Sequence, residues 1–144
     1  MNDITTNKQR MELALAMLAE GDTSAFVSMC GEDLSWTVQG AMPWSGTYRG
    51  KASVFAMLRS FRAQLKEPFV FRTQRVLGDG DFVVVEGRGQ NQLHTGPRYD
   101  NQYCWVCRFE AGQLRELNEY MDTELVARTL APPAQEIACQ ASRS

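Results

Sequence analysis

Strong metal ligands are scarce in this sequence of 144 residues, which has one histidine, His94, and four cysteines, Cys30, Cys104, Cys107 and Cys139. A zinc site needs several such ligands close together, and His94 stands alone beside Gly96-Pro97 in a turn. Cys104 and Cys107 are an odd number of residues apart on a strand, which sends their thiols to opposite faces, so they make no redox or metal pair. Four scattered cysteines make no disulfide framework either. Positive charge is not in excess: the net charge is −2, which excludes the basic face that nucleic acid requires. No apolar run approaches the ~20 residues of a membrane span. The start, MNDITTNKQR, lacks the apolar core of a signal peptide and points to the cytoplasm. Asp79 and Asp81 supply too few oxygens for a calcium loop, and Gly87-Arg88-Gly89 opens no helix, so it is no phosphate loop. Nothing here implies a metal or a cofactor.

What is present is ordinary globular material, 44% hydrophobic and 22% charged, enough for one domain with a real core. Met11, Ala14, Leu15 and Leu18 form one apolar stripe of a helix over residues 4–20, capped by Thr5, Thr6 or Asn7 and ended at Gly21. Asp22 caps a short second helix ending near Met29. Residues 33–38 alternate, turning Leu34, Trp36 and Val38 inward. Residues 40–50, with three glycines, Pro43, Trp44 and Tyr48, read as a loop with aromatic cargo. Val54, Phe55, Leu58, Phe61 and Leu65 give a third helix over 51–66, which Pro68 stops. Strands over 69–77 and 82–93 are joined by Gly78-Asp79-Gly80-Asp81.

The chain is organised around residues 99–122, two long strands joined by Glu110-Ala111-Gly112-Gln113. Asn101, Tyr103, Trp105, Cys107 and Phe109 share one face of the first strand. On the second, Leu117, Glu119 and Met121 share a face; Leu114 is out of phase, and the place of a bulge decides whether Glu119 or Asn118 and Tyr120 face the cavity. A last helix over 124–130 starts at Asp122 or Thr123 and stops at Pro132-Pro133. Residues 1–130 thus form one domain, and 131–144 are expected to be a disordered tail. Helices followed by a run of strands predict an α+β fold, a strongly curved sheet with three helices of the first half on its concave face. Three helices cannot fill such a face, and a cone-shaped cavity results.

This element order resembles the nuclear transport factor 2-like (cystatin-like) superfamily in its SnoaL-like branch. The residues that carry the resemblance are Pro43, the Gly46-Thr47-Tyr48-Arg49-Gly50 loop, Tyr99-Asp100-Asn101-Gln102-Tyr103, Phe109-Glu110-Ala111-Gly112-Gln113-Leu114 and Glu119-Tyr120-Met121-Asp122. The resemblance implies a cone-like α+β barrel, an apolar pocket at its open end for a small apolar molecule, and a homodimer packed through the outer face of the sheet. Relatives include ketosteroid isomerases, polyketide cyclases and limonene epoxide hydrolases, and their catalytic sets do not carry over. Glu119 matches one carboxylate of the epoxide hydrolases. Their arginine and second carboxylate would fall near Gly87 and Gly89, and Trp36 stands where they have a tyrosine.

Glu119 is therefore the candidate catalytic residue. Facing an apolar cavity, its charged form is disfavoured and its pKa rises toward neutrality, as an acid/base catalyst requires; facing solvent, it pairs with an arginine instead. Asn101 and Tyr103 are candidates to hydrogen-bond a ligand oxygen or else pair across strands. Trp36, Trp44, Tyr48 and Trp105 wall the pocket or fill plain core. Gly87, on the inward phase, leaves space for a ligand or marks strand curvature. Glu86, Arg88, Gln102, Cys104, Val106 and Arg108 lie on the outer phase, either a two-fold interface or a solvated face. Two functions follow: isomerase, cyclase or hydrolase chemistry by Glu119 on a compact apolar substrate, or a non-catalytic ligand-binding or dimeric interaction module.

Overall fold

Thr6 starts the first helix with a reciprocal cap: its hydroxyl accepts from Gln9 N at 3.1 Å and its own N–H donates to Gln9 Oε1 at 2.9 Å. The computed structural model describes residues 6–134 and 136–137. Helix α1 runs Asn7–Leu18 and buries Met11, Ala14, Leu15 and Leu18; residues 4 and 5 of the expected helix lie outside the described residues. Helix α2 (Ser24–Met29) follows Gly21, whose φ of 80° makes the turn.

Strand β1 (Cys30–Val38) begins three residues before the expected alternation. Strand β2 (Gly46–Arg49) lies inside the segment expected to be loop, a correction with a tertiary cause. β2 is ordered by antiparallel pairing with β1, Trp36 against Tyr48, and by a 2.8 Å bond between the Thr37 and Thr47 hydroxyls. Four residues bounded by glycine carry no alternation strong enough to announce that partner. Helix α3 (Lys51–Arg62) ends one turn before the expected Lys66. Strands β3 (Phe71–Asp79), β4 (Phe82–Gly89), β5 (Gln102–Glu110) and β6 (Gln113–Met121) form consecutive antiparallel pairs. Helix α4 (Thr123–Thr129) follows, capped by the Asp122 carboxylate on Leu125 N at 3.1 Å.

The six strands form one sheet in the order β2-β1-β6-β5-β4-β3, with β1 parallel to β6. Helix α1 packs on β3 and β4, and α3 on β1 and β2, so one face of the sheet is covered and its core is continuous from Met11 to Phe109. The turn between β5 and β6 places Ala111 and Gly112 at φ values of 51° and 78°, the left-handed pair that a two-residue hairpin needs. The tail expected to be disordered from residue 131 is partly docked. Among its described residues, Pro133 and Ile137 are buried, and the Ala131 carbonyl accepts from Trp44 Nε1 at 3.1 Å and Gln64 Nε2 at 3.2 Å. No helix among the described residues is long and apolar enough to cross a membrane.

Gly87 is a point of closest packing. A Cβ built there would lie 2.1 Å from Phe71 Cζ and 2.8 Å from the Arg72 carbonyl. Gly87→Ala is therefore expected to lose about 2 kcal/mol or more through overpacking, lowering the melting temperature by roughly 5–10 °C. An unchanged thermal melt would show that the Phe71 ring moves aside freely.

Candidate functional site

Between the pairs Arg108–Glu116 and Phe109–Leu114, β6 carries one residue more than β5, and that residue is Arg115. This bulge resolves the phase conflict: Leu114 and Leu117 both turn inward, and Glu119 follows two residues later on the same face. Tyr120 points outward and is 48% exposed, whereas Glu119 is 7% exposed.

Glu119 sits opposite Trp105 on β5 and beside Val38 on β1. Each carboxylate oxygen accepts one indole N–H: Oε1 from Trp36 at 3.2 Å, Oε2 from Trp105 at 2.9 Å. The two indoles meet edge to face at 6.4 Å, Phe26 leans on both, and the Phe71 ring stacks on Trp105 at 4.4 Å. No arginine or lysine pairs with Glu119 among the described residues. Burial pushes its carboxyl from the ordinary 4.5 up to about 7, while the two indole bonds pull the other way. At neutral pH it exchanges a proton readily.

A cavity of about 120 Å³ opens above the carboxyl. Phe26, Trp36, Trp44, Phe69, Tyr103 and Trp105 are among its walls, and Val126 and Leu130 reach it from α4 and just beyond. A dry engineered cavity of about 150 Å³ accepts benzene, so the space suits a single ring. Burial raises the Tyr103 phenol well above its usual value and that of Tyr99 to about 12. Both therefore stay protonated; the Tyr99 hydroxyl donates to Met121 Sδ at 3.8 Å, and the two phenols interact with each other.

Other expected residues are placed differently. Asn101 is spent on structure: its amide donates to Tyr99 Oη at 3.0 Å and to the Asp122 carbonyl at 3.2 Å, and its oxygen accepts Asp122 N at 3.1 Å. Both amide hydrogens are thereby engaged, leaving no donor for a ligand. Tyr48 lies behind the wall, its hydroxyl donating to the Trp44 carbonyl at 2.9 Å. At Gly87 the missing side chain makes room for Phe71 and not for a ligand. Cys107 is buried and Cys104 half-buried on the other face, as an odd spacing requires. Sequence reasoning missed Phe69, Tyr99 and Arg62 as lining residues; Tyr99 alternates with Asn101 and Tyr103, a signal that could have placed it.

With this geometry in hand, comparison with known proteins is decisive for the family. The SnoaL-like domain matches residues 12–117. The chain belongs to the SnoaL-like family. This SnoaL-like domain also shares its fold with solved structures. An NTF2-like protein from Burkholderia thailandensis superposes with a TM-score of 0.75 at 24% identity, covering 90% of this chain and all 100% of that one. Bal32a, from a soil-derived mobile gene cassette, gives 0.71 at 23% identity, covering 85% and 92%. TerC, co-crystallised with polyporic acid, gives 0.70 at 19% identity, covering 82% and 92%. No curated protein matches the sequence.

The raised carboxyl has a measurable consequence. Folded Glu119 holds its proton up to about 7, the unfolded one only to 4.5. The folded state therefore loses stability as pH rises from 4.5 to 7 and no further above, by about 3 kcal/mol in all. Glu119→Gln removes that dependence. The variant's melting temperature relative to the native protein should climb between pH 5 and pH 8, and parallel curves would contradict the buried-acid assignment.

Proposed function

We propose that this SnoaL-like domain binds a compact apolar molecule carrying a carbonyl, such as a cyclic ketone, in its cone cavity, and that Glu119 moves a proton on it. The observation that carries the reading is a buried carboxylate without a cationic partner, held by two indole N–H groups in the lining of an apolar cavity. Two anchored oxygens fix the side chain, so a ring carbon that meets it is presented to a base of known position. The ionised carboxylate takes a proton from the carbon beside the carbonyl. The electron pair moves onto the oxygen, where the Tyr103 hydroxyl supports the charge. The protonated Glu119 then returns its proton to the same carbon or to a conjugated one, the latter completing an isomerisation. That TerC, which shares this fold, was co-crystallised with polyporic acid supports a small-molecule ligand here.

The test uses cyclohexenone in deuterated water, followed by NMR. Deuterium should enter the acidic carbon faster with protein than without, with a rate that rises through about pH 7, and Glu119→Gln should abolish the gain. Equal exchange with and without protein, together with saturable quenching of tryptophan fluorescence, would assign the domain to ligand binding without chemistry.

The partner proposed for the outer face of the sheet is a second copy of the chain. There Leu77, Val84 and Val106 lie side by side across β3, β4 and β5, with Leu77 55% and Phe82 47% exposed. The charges around them are already matched within the chain, Arg75 to Glu86 at 3.1 Å and Arg108 to Glu116 at 3.2 Å, which leaves the apolar row as the unpartnered feature. Sedimentation at tens of micromolar should give about twice 16.2 kDa, since an interface of roughly 1,600 Å² holds at that concentration. Val106→Glu should give the single-chain mass; a native monomer would refute the pairing.

A further inference from the structure

Among the described residues, four arginines are half-buried: Arg10, Arg62, Arg108 and Arg115. Three of them have side-chain acceptors. Arg10 donates to Asn7 Oδ1 at 3.0 Å, Arg108 pairs with Glu116 at 3.2 Å, and Arg115 is bound to Asp33. Arg62 makes no ion pair or side-chain hydrogen bond among the described residues. A guanidinium has five donors and no acceptor, and burying one without a counter-charge costs free energy that the fold does not recover elsewhere. That burial also lowers its affinity for its own proton below the ordinary value.

The position of Arg62 says what could relieve the cost. It is the last residue of α3 and lines the apolar cavity on one side. On the other it lines a separate cleft with Thr23, Lys66, Glu67 and Phe69. Arg62 therefore borders both spaces, and the side toward this cleft is taken as the cavity's mouth, while Glu119 is enclosed by Trp36 and Trp105. Arg59, exposed and one turn earlier on α3, lines the same cavity and adds a second positive charge. The charge sequence from inside outward is thus an acid, an apolar wall, then a cation lacking its anion.

We propose that the molecule bound in the cavity carries a carboxylate, which pairs with Arg62 at the mouth while its ring extends inward toward Glu119. This rests on the cavity being a ligand site, the reading argued above, and specifies the substrate class as an alicyclic acid of about one ring that also carries the ring carbonyl. The pairing is charge-assisted and favours two parallel N–H···O bonds, which fix the ring's direction as well as its affinity. It also keeps the ligand's charge at the opposite end of the cavity from Glu119, where the two anions would otherwise repel.

The experiment compares cyclohexanecarboxylate with cyclohexanecarboxamide, equal in shape and different in charge, by calorimetric titration of the full chain at pH 7.5. The acid should bind about tenfold tighter or more, the worth of a hydrogen-bonded charge pair. Arg62→Met keeps the apolar stem and should bring the acid down to the amide's affinity while leaving the amide unchanged. Arg62→Lys, the safer variant for folding, should retain part of the preference, and Arg88→Met on the outer face all of it. An acid no tighter than the amide in the native protein, or an Arg62→Met loss equal for both, overturns the proposal and leaves the cavity reading standing on the amide. Failure of both compounds to bind overturns the cavity reading and the Arg62 pairing together.

Discussion

Strand β6 has one residue too many for β5, and much of the domain follows from where that residue is accommodated. Side chains on a strand alternate with a period of two, so Leu114 on the inner face would put Glu116, Asn118 and Tyr120 inward if the strand were regular. Arg115 absorbs the surplus in a bulge, tied outside to Asp33 of β1. Leu114 and Leu117 can then both be buried, and the apolar demand of Leu117 carries Glu119 inward with it. The carboxylate is buried by the register that its neighbours require.

A buried carboxylate is costly, and its surroundings lower the cost without removing it. Two indole N–H groups saturate one lone pair on each oxygen, yet neither indole carries a charge. The pKa remains raised, which is the state a proton carrier needs. An arginine in place of either tryptophan would favour the ionised carboxylate and lower that pKa. Phe26 and Phe71 in turn hold the two indoles, and Phe71 can reach Trp105 because Gly87 has no side chain. Glycine at 87 thus acts on the acid through two stacked rings.

Much of the polar chemistry near the cavity is committed to architecture. Asn101 ties the start of β5 to the end of β6, Tyr48 braces the Trp44 backbone, and Trp44 holds the chain after α4 through Ala131. Glu119 and Arg62 line the space without an ion pair, a division that no residue type announces in advance.

The α+β class, the order of elements and the inward face of β5 were legible because they depend on local periodicity: Tyr103, Trp105, Cys107 and Phe109 alternate without interruption and are all buried. The inward face of Glu119 was legible only as one of two phases, and the bulge at Arg115 decided between them. Strand β2, the parallel joining of β1 to β6, the occupancy of Gly87 by Phe71 and the latch made by Asn101 were not legible. Each depends on a partner distant in sequence, at separations over which residue spacing carries no information. Arg62 belongs with them: its charge is evident from its side chain, but its lack of an ion pair among the described residues is a property of the packed chain alone.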